Sequence, residues 1–161
     1  MTIQVGDRLP AVNLKQLTAD GIKDVPITEL TSGKKVVLFA VPGAFTPTCS
    51  EKHLPGFIDQ ADAIRGKGVD AILCVAVNDP FVVSAWEKAR NVGGKVIMLS
   101  DGNAELTRAI GLDFDGSAVG LGTRSKRYAM VVDDGVVKAL MVEDAPGQAE
   151  KSSASAILAA L

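Results

Sequence analysis

The sequence contains little of what metal sites, disulfide scaffolds and base-stacking surfaces require. Its 161 residues include 2 cysteines and 1 histidine, too few to build a four-ligand zinc site from these two residue types alone. Two cysteines in a chain of this size are also untypical of a secreted scaffold held together by disulfides. Aromatic residues make up 4% of the chain, which argues against a surface that stacks nucleic-acid bases.

Charge and hydropathy exclude two further classes of partner. The chain has 17 basic and 19 acidic residues, a net charge of −2, so it lacks the positive charge that holds nucleic acids. The longest uncharged stretch, residues 36–50, is interrupted by Pro42, Gly43 and Pro47. It is also shorter than the roughly 20 apolar residues of a membrane span. We therefore expect no nucleic-acid partner and no membrane partner.

Length and amino terminus set the expected organisation. Since domains commonly contain about 100–200 residues, we expect one domain over residues 1–161. The hydrophobic content of 47% is typical of a folded chain. The first ten residues, MTIQVGDRLP, show no basic segment followed by an apolar one, as a secretory signal would. We therefore expect a cytoplasmic protein, in a reducing compartment where a reactive cysteine is more plausible than a structural disulfide.

The apolar pattern in the first half of the chain predicts a βαβ unit. Two Val-rich runs, 35–41 and 71–77, have the continuous apolar character of strands buried on both faces of a parallel sheet. Between them, apolar side chains recur at helical spacing from Leu54 to Ala61, and Gly66 ends the helix. Pro55 falls inside this helix and predicts a kink, because proline removes a helical hydrogen bond.

The remaining elements complete an α/β order. Asp79 and Pro80 are typical of a helix start, and Asp134-Gly135 is typical of a tight hairpin turn. The predicted elements after residue 80 are a helix ending at 93–94, a strand at 95–99, a short helix at 104–110, a Gly-rich loop at 113–125, hairpin strands at 127–132 and 136–142, and a helix at 149–161. Extra strands are expected near residues 11–17. This order predicts a thioredoxin-like fold with an N-terminal strand extension and an inserted β-α unit.

Cys49, in the loop that enters the first core helix, is the strongest candidate for chemistry. Two helix starts fit: Thr46 as N-cap followed by Pro47, or Thr48 as the N-cap of a capping box completed by Glu51. Either start places Cys49 in the first turn, where unpaired N–H groups and the helix dipole stabilise a thiolate. The hydroxyl of Thr46 could then donate to the sulfur. The alternative is an inert cysteine that fills the core.

Three segments resemble the type II peroxiredoxins, the peroxiredoxin-5 subfamily. They are PGAFTPTCS at 42–50 followed by HLPGF at 53–57, VAVNDPFV at 75–82 followed by Trp86, and KRYAMVV at 126–132. Together they cover nearly the whole chain in the family's order. The resemblance implies a thiol-specific, antioxidant peroxidase that reduces hydrogen peroxide and organic hydroperoxides to water and alcohols.

The resemblance also implies the roles of individual residues. Cys49 would be the peroxidatic cysteine, whose thiolate attacks the peroxide and becomes a sulfenic acid. Thr46 would hydrogen-bond the peroxide and the thiolate, Pro42 would shield the pocket from water, and Arg127 would lie beside the sulfur. Without the resemblance, Arg127 is typical of a solvated charge at a strand end. Arg124 and Lys126 are then equally good candidates for the cation beside the sulfur.

Two residues keep alternative interpretations. Cys74 is either a buried packing residue of its strand or a resolving cysteine that condenses with the Cys49 sulfenic acid, as in some plant members of the family. The further cysteine that animal members carry near the C-terminus is absent here. We therefore expect reduction by glutathione with glutaredoxin, or by thioredoxin. His53 either pairs with the thiolate as a cation or has a capping or packing role.

The resemblance further implies a homodimer that packs near the active-site loops, with Phe45 and Phe81 at the contact. It implies no metal, haem or flavin, and a reducing thiol as co-substrate. Two other functions remain as alternatives, a thiol-disulfide oxidoreductase and a non-catalytic binding module on the same fold. Both are disfavoured because Pro42, Thr46, Cys49 and Arg127 occur together.

Overall fold

A computed structural model describes residues 2–161, and within them the chain forms nine strands and six α-helices. The strands are β1 Asn13–Thr18, β2 Gly21–Pro26, β3 Lys35–Val41, β4 Ala71–Ala76, β5 Ile97–Ser100, β6 Asp113–Asp115, β7 Thr123–Ser125, β8 Tyr128–Asp133 and β9 Val136–Val142. The helices are α1 Ile27–Thr31, α2 Leu54–Asp59, α3 Ala61–Arg65, α4 Pro80–Ala89, α5 Glu105–Ala109 and α6 Ala154–Ala160. A π-helical turn, Cys49–His53, leads into α2, and a 3-10 turn, Ser117–Val119, lies between β6 and β7.

Seven of the strands form one mixed sheet in the order β2-β1-β5-β4-β3-β8-β9. The central strand β3 pairs in parallel with β4 and antiparallel with β8, which confirms the predicted βαβ unit. Side chains of β3 alternate between two buried clusters, because successive residues of a strand point to opposite faces. Val37, Phe39 and Val41 pack under α2, α3, α4 and α6, whereas Val36, Leu38 and Ala40 face α1 and α5.

The helix that follows β3 is interrupted as Pro55 predicts. Pro55 has no N–H to donate to the carbonyl four residues earlier. The preceding Leu54 N–H instead bonds the Cys49 carbonyl five residues back, which produces the π-helical turn. A second interruption at Gln60, with φ −103°, separates α2 from α3. The predicted single helix is therefore divided into three short helical pieces, and the helical residues Pro47 and Thr48 precede Cys49 in the first of them.

The expected Gly-rich loop at 113–125 is wrong in part, because this segment contains the short hairpin of β6 and β7. Asp113 pairs with Ser125 and Asp115 with Thr123. Gly120 and Gly122 have φ of 77° and 67°, which lets the chain turn back. Strands of three residues are too short to show an alternating pattern in the sequence.

The ends of the remaining elements differ by a few residues. The last helix begins at Ala154 rather than at 149, because the Ser153 hydroxyl caps it by accepting from the Ala156 N–H. The residues before it form a loop that reaches back toward Cys49. The hairpin turn is as expected: Asp134 and Gly135 have φ of 48° and 80°.

Candidate active site

Cys49 lies in the first turn of the helix that begins at Pro47. The Ser50 N–H donates to the Thr46 carbonyl at 3.0 Å, so Thr46 is the residue that precedes the helix, as in the first of the two predicted starts. The Thr46 hydroxyl donates to the Gly43 carbonyl at 2.7 Å, so it does not donate to the Cys49 sulfur as expected from the sequence. The Cys49 side chain is fully buried in the cluster under the helices.

The Arg127 guanidinium lies beside the sulfur of Cys49. Its Nη2 donates to Cys49 Sγ at 3.0 Å. Nε and Nη2 also donate to the Pro146 carbonyl, at 3.1 and 3.0 Å. The Nη1 donates to His53 Nδ1 at 2.9 Å, and the side chain is buried. A cation held by this many bonds presents a fixed positive charge to the sulfur.

His53 holds Arg127 and does not pair with the thiolate. Arginine only donates hydrogen bonds, so His53 Nδ1 is the acceptor and the proton lies on Nε2, which donates to the Ser152 carbonyl at 2.9 Å. Burial, and then the charge of Arg127, lower the pKa of His53 to about 3. The ring is therefore neutral at neutral pH. The interpretation of His53 as a cation beside the thiolate is wrong, because a buried ring next to a guanidinium does not take up a proton.

The neutral state of His53 predicts that acid weakens the fold. The histidine of an unfolded chain has a pKa of about 6.5, whereas His53 in the folded chain has a pKa of about 3. Its contribution is therefore fully present above about pH 6.5. Below that pH the free energy of unfolding should fall by about 1.4 kcal/mol per pH unit. Denaturant titrations at several pH values measure this slope. In His53→Gln the slope between about pH 6.5 and pH 5 should be absent, and an equal slope in that variant would contradict the assignment.

Glu143 and Ser152 extend this network, and neither was a candidate in the sequence. Glu143 is 6% exposed as a residue, and its carboxylate accepts from the Ser152 N–H at 2.6 Å and from the Ser152 hydroxyl at 2.5 Å. Burial would raise the pKa of Glu143, but the hydrogen bonds from Ser152 outweigh it and hold that pKa below its usual value. In the sequence, Glu143 has the pattern of an exposed charge at a strand end. A buried role for it has no local signal.

The loop between β3 and the helix is held by residues from two other segments. Asn78, which follows β4, accepts from the Ala44 N–H at 2.9 Å. Arg124, on β7, donates from Nη1 to the carbonyl of buried Pro42 at 3.5 Å. A Cβ on Gly43 would lie 3.0 Å from Arg124 Nη1 and 3.1 Å from Thr46 Cγ2. A larger residue there would require the Arg124 guanidinium and the Thr46 methyl group to shift by a few tenths of an ångström.

Cys74 lies on β4 opposite Phe39 and is 1% exposed. Burial, and then the charge of Cys49, raise the pKa of the Cys74 thiol well above its usual value. Both cysteines are free thiols. Phe45 and Phe81 are 52% and 61% exposed.

Two features, a metal-ligand cluster and a membrane-spanning helix, are absent from the described part of the chain. Across residues 2–161, no group of three or more His, Cys, Asp or Glu side chains is placed to hold a metal ion. No helix within the same residues is long and apolar enough to cross a membrane.

The chain is similar to known proteins over nearly its whole length. The chain matches the family described as Redoxin over residues 4–158. It is 56% identical over 165 residues to "Peroxiredoxin-2E-2, chloroplastic" of Oryza sativa subsp. japonica, covering 99% of this chain and 73% of that protein. The fold is similar to that of reduced Prx3 from Vibrio vulnificus in complex with hydrogen peroxide, with a TM-score of 0.93, 54% identity and 99% of both chains covered. It is also similar to peroxiredoxin 5 from Alvinella pompejana, with a TM-score of 0.86, 35% identity and 98% and 96% coverage.

Proposed function

Because the chain belongs to the Redoxin family, and within it to the type II peroxiredoxins, which are thiol-dependent peroxidases, we propose that Cys49 carries its peroxidase reaction. Arg127, Thr46 and Pro42 are the residues that assist it. The observation that carries this proposal is the 3.0 Å contact between Arg127 Nη2 and Cys49 Sγ in the first turn of a helix. Peroxiredoxins work through a cysteine redox centre and a thiol reductant, without a prosthetic group.

The reaction begins with attack of the Cys49 thiolate on the terminal oxygen of a hydroperoxide. A sulfur–oxygen bond forms, the oxygen–oxygen bond breaks, and its electron pair leaves on the departing oxygen. That oxygen takes up a proton and leaves as water or an alcohol, while Cys49 becomes a sulfenic acid. Arg127 stabilises the negative charge on the departing oxygen. Since this charge grows as the bond breaks, the stabilisation is larger in the transition state than in the ground state.

Thr46 and Pro42 shape the place where the peroxide binds. The Thr46 hydroxyl donates a hydrogen bond to the Gly43 carbonyl, so its oxygen lone pairs can accept a hydrogen bond from the peroxide O–H. Pro42 is buried and has no N–H to hold a competing water. These two residues orient the peroxide for in-line attack by the sulfur.

Regeneration of Cys49 uses an external thiol in this proposal. One thiol condenses with the sulfenic acid to give a mixed disulfide and water, and a second thiol releases Cys49 and leaves as a disulfide. Cys74 is buried, and its raised pKa keeps it protonated, so it is a poor nucleophile and is assigned a packing role. Glutathione with glutaredoxin, or thioredoxin, then supplies the electrons.

The same proposal includes the assembly and location of the protein. Phe45 and Phe81 are large apolar side chains exposed to more than half of their surface, which favours a homodimer that covers them. The expected single domain runs over residues 1–161, of which Met1 lies outside the described part. We also propose a cytoplasmic location, with which the two free thiols are compatible; the rice relative is named as chloroplastic.

Intact mass after one equivalent of hydrogen peroxide tests this function. The reduced protein should gain one oxygen, and added glutathione should then give the mixed disulfide. Cys74→Ser should behave in the same way, because Cys74 takes no part. A loss of two hydrogens in the unsubstituted protein but not in Cys74→Ser would instead make Cys74 the resolving cysteine. Turnover of a disulfide substrate without peroxide would support a thiol-disulfide oxidoreductase.

A further inference from the structure

We propose that Glu143 is a positioning residue that holds Arg127 against Cys49 by fixing Ser152 and, through it, His53. The inference rests on the proposed roles of Cys49 and Arg127, and it adds a carboxylate that acts without touching the reacting atoms. Glu143 follows β9 directly, whereas Ser152 lies in the loop before α6.

The contacts form a continuous path from Glu143 to the sulfur. The Glu143 carboxylate accepts hydrogen bonds from both the backbone N–H and the hydroxyl of Ser152. The Ser152 carbonyl accepts a hydrogen bond from His53 Nε2–H at 2.9 Å. This bond keeps His53 Nδ1 free of a proton, so that it accepts from Arg127 Nη1 at 2.9 Å. With Nη1 held there, the neighbouring Nη2 faces Cys49.

Glu143 also holds the backbone of the same arginine. Its N–H donates to the Arg127 carbonyl at 2.9 Å, so one residue is tied to both ends of Arg127. Arg127 and Glu143 also line the same pocket of about 190 Å³, together with Pro146, whose carbonyl accepts from the guanidinium.

A buried carboxylate destabilises the folded state unless hydrogen bonds or a counter-ion compensate for the lost contact with water. Transfer of an ionised group out of water is unfavourable without strong partners. In the described chain, the nearby cation Lys151 pairs with exposed Asp144 at 2.7 Å rather than with Glu143. The Glu143 carboxylate is therefore stabilised by hydrogen bonds from Ser152 and its neighbours in the loop and not by an ion pair. These hydrogen bonds fix the position of the loop.

Two accounts of Glu143 predict opposite effects on the ionisation of Cys49. A bare negative charge repels the thiolate, so its removal would shift the thiolate titration to lower pH. An anchor for Arg127 favours the thiolate, so its removal would shift the titration to higher pH. The ionisable groups near this site come from four segments: Lys126 and Arg127 before β8, His53 in the π-helical turn, Cys74 on β4, and Asp144, Glu150 and Lys151 in the loop.

Three variants separate the accounts in a Cys74→Ser background. Glu143→Ala removes the charge and the anchor. Glu143→Gln removes the charge but keeps an oxygen that can accept both hydrogens of Ser152. Asp144→Asn, the matched control, removes the adjacent exposed carboxylate. For each variant, thiolate absorbance is followed against pH, the rate constant for hydrogen peroxide is measured by stopped flow, and thermal unfolding reports the fold.

We expect the Glu143→Ala titration to move to higher pH and its peroxide rate constant to fall roughly tenfold. Glu143→Gln and Asp144→Asn should stay close to the unsubstituted protein. A titration of Glu143→Ala that is unchanged or moves to lower pH would overturn the proposal. So would an equal upward shift and rate loss in Glu143→Gln and Glu143→Ala.

Two further variants keep the test decisive. If Glu143→Ala does not fold, Ser152→Ala removes one of the two bonds to the carboxylate and should give a smaller shift in the same direction. No shift in Ser152→Ala would then overturn the proposal. Cys49→Ser tests the proposed function separately, because a Cys49→Ser protein that still reduces peroxide refutes the role of Cys49 whatever Glu143 does.

Discussion

Cys49→Ser is expected to lower the rate constant for hydrogen peroxide by about four orders of magnitude, equal to about 5.4 kcal/mol of transition-state stabilisation. The serine hydroxyl stays protonated near neutral pH, whereas a thiol at the start of a helix and beside a guanidinium supplies a thiolate. Oxygen is also a weaker nucleophile than sulfur toward a peroxide bond. The rate is measured by competition for peroxide with a second peroxidase of known rate.

The matched control for this prediction is Cys74→Ser. Cys74 is buried in β4 and is held protonated, so the peroxide rate constant should stay within about twofold. The substitution puts a hydroxyl into an apolar strand, and we expect it to lower the free energy of unfolding by about 1–3 kcal/mol. Equal loss of activity in both variants would show that the fold, and not the Cys49 thiolate, has been damaged.

Arg127→Gln is expected to lower the same rate constant by about 10²–10³, equal to about 2.7–4 kcal/mol. The substitution removes the cation that we propose stabilises the departing oxygen. It also leaves the Pro146 carbonyl and His53 Nδ1 without their donors. Arg127→Lys keeps the positive charge, but an ammonium group cannot bond the sulfur, Pro146 and His53 at once. We expect this variant to lose most of the activity as well.

Lys126→Gln is the control for the net charge in this region. Lys126 is the preceding residue and is exposed, so its removal should leave the peroxide rate constant within about twofold at moderate salt. Comparison of the two neutral variants separates a local cation from the overall field of the protein. A rate loss in Lys126→Gln as large as that in Arg127→Gln would contradict the role proposed for Arg127.

The fold follows from local patterns to a large extent. The Val-rich run at 35–41 is the central strand because its side chains from Val36 to Val41 are apolar and buried on both faces of the sheet. The Asp134-Gly135 turn forms because both residues accept positive φ. The hairpin of β6 and β7 has only three residues in each strand, and so its alternation is too short to be recognised.

The sequence by itself determined that Cys49 stands in the first turn of a helix. The proline at position 47 and the threonine before it act within a few residues of the chain. Local patterns left Arg124, Lys126 and Arg127 as candidates, and only the resemblance selected Arg127. The tertiary structure decided that the Arg127 guanidinium contacts the sulfur and that His53 is neutral. The Arg127–Cys49 contact joins residues 78 positions apart and the His53–Ser152 contact joins residues 99 apart. Side chains so distant meet only when the sheet and helices have packed, and no local pattern encodes their approach.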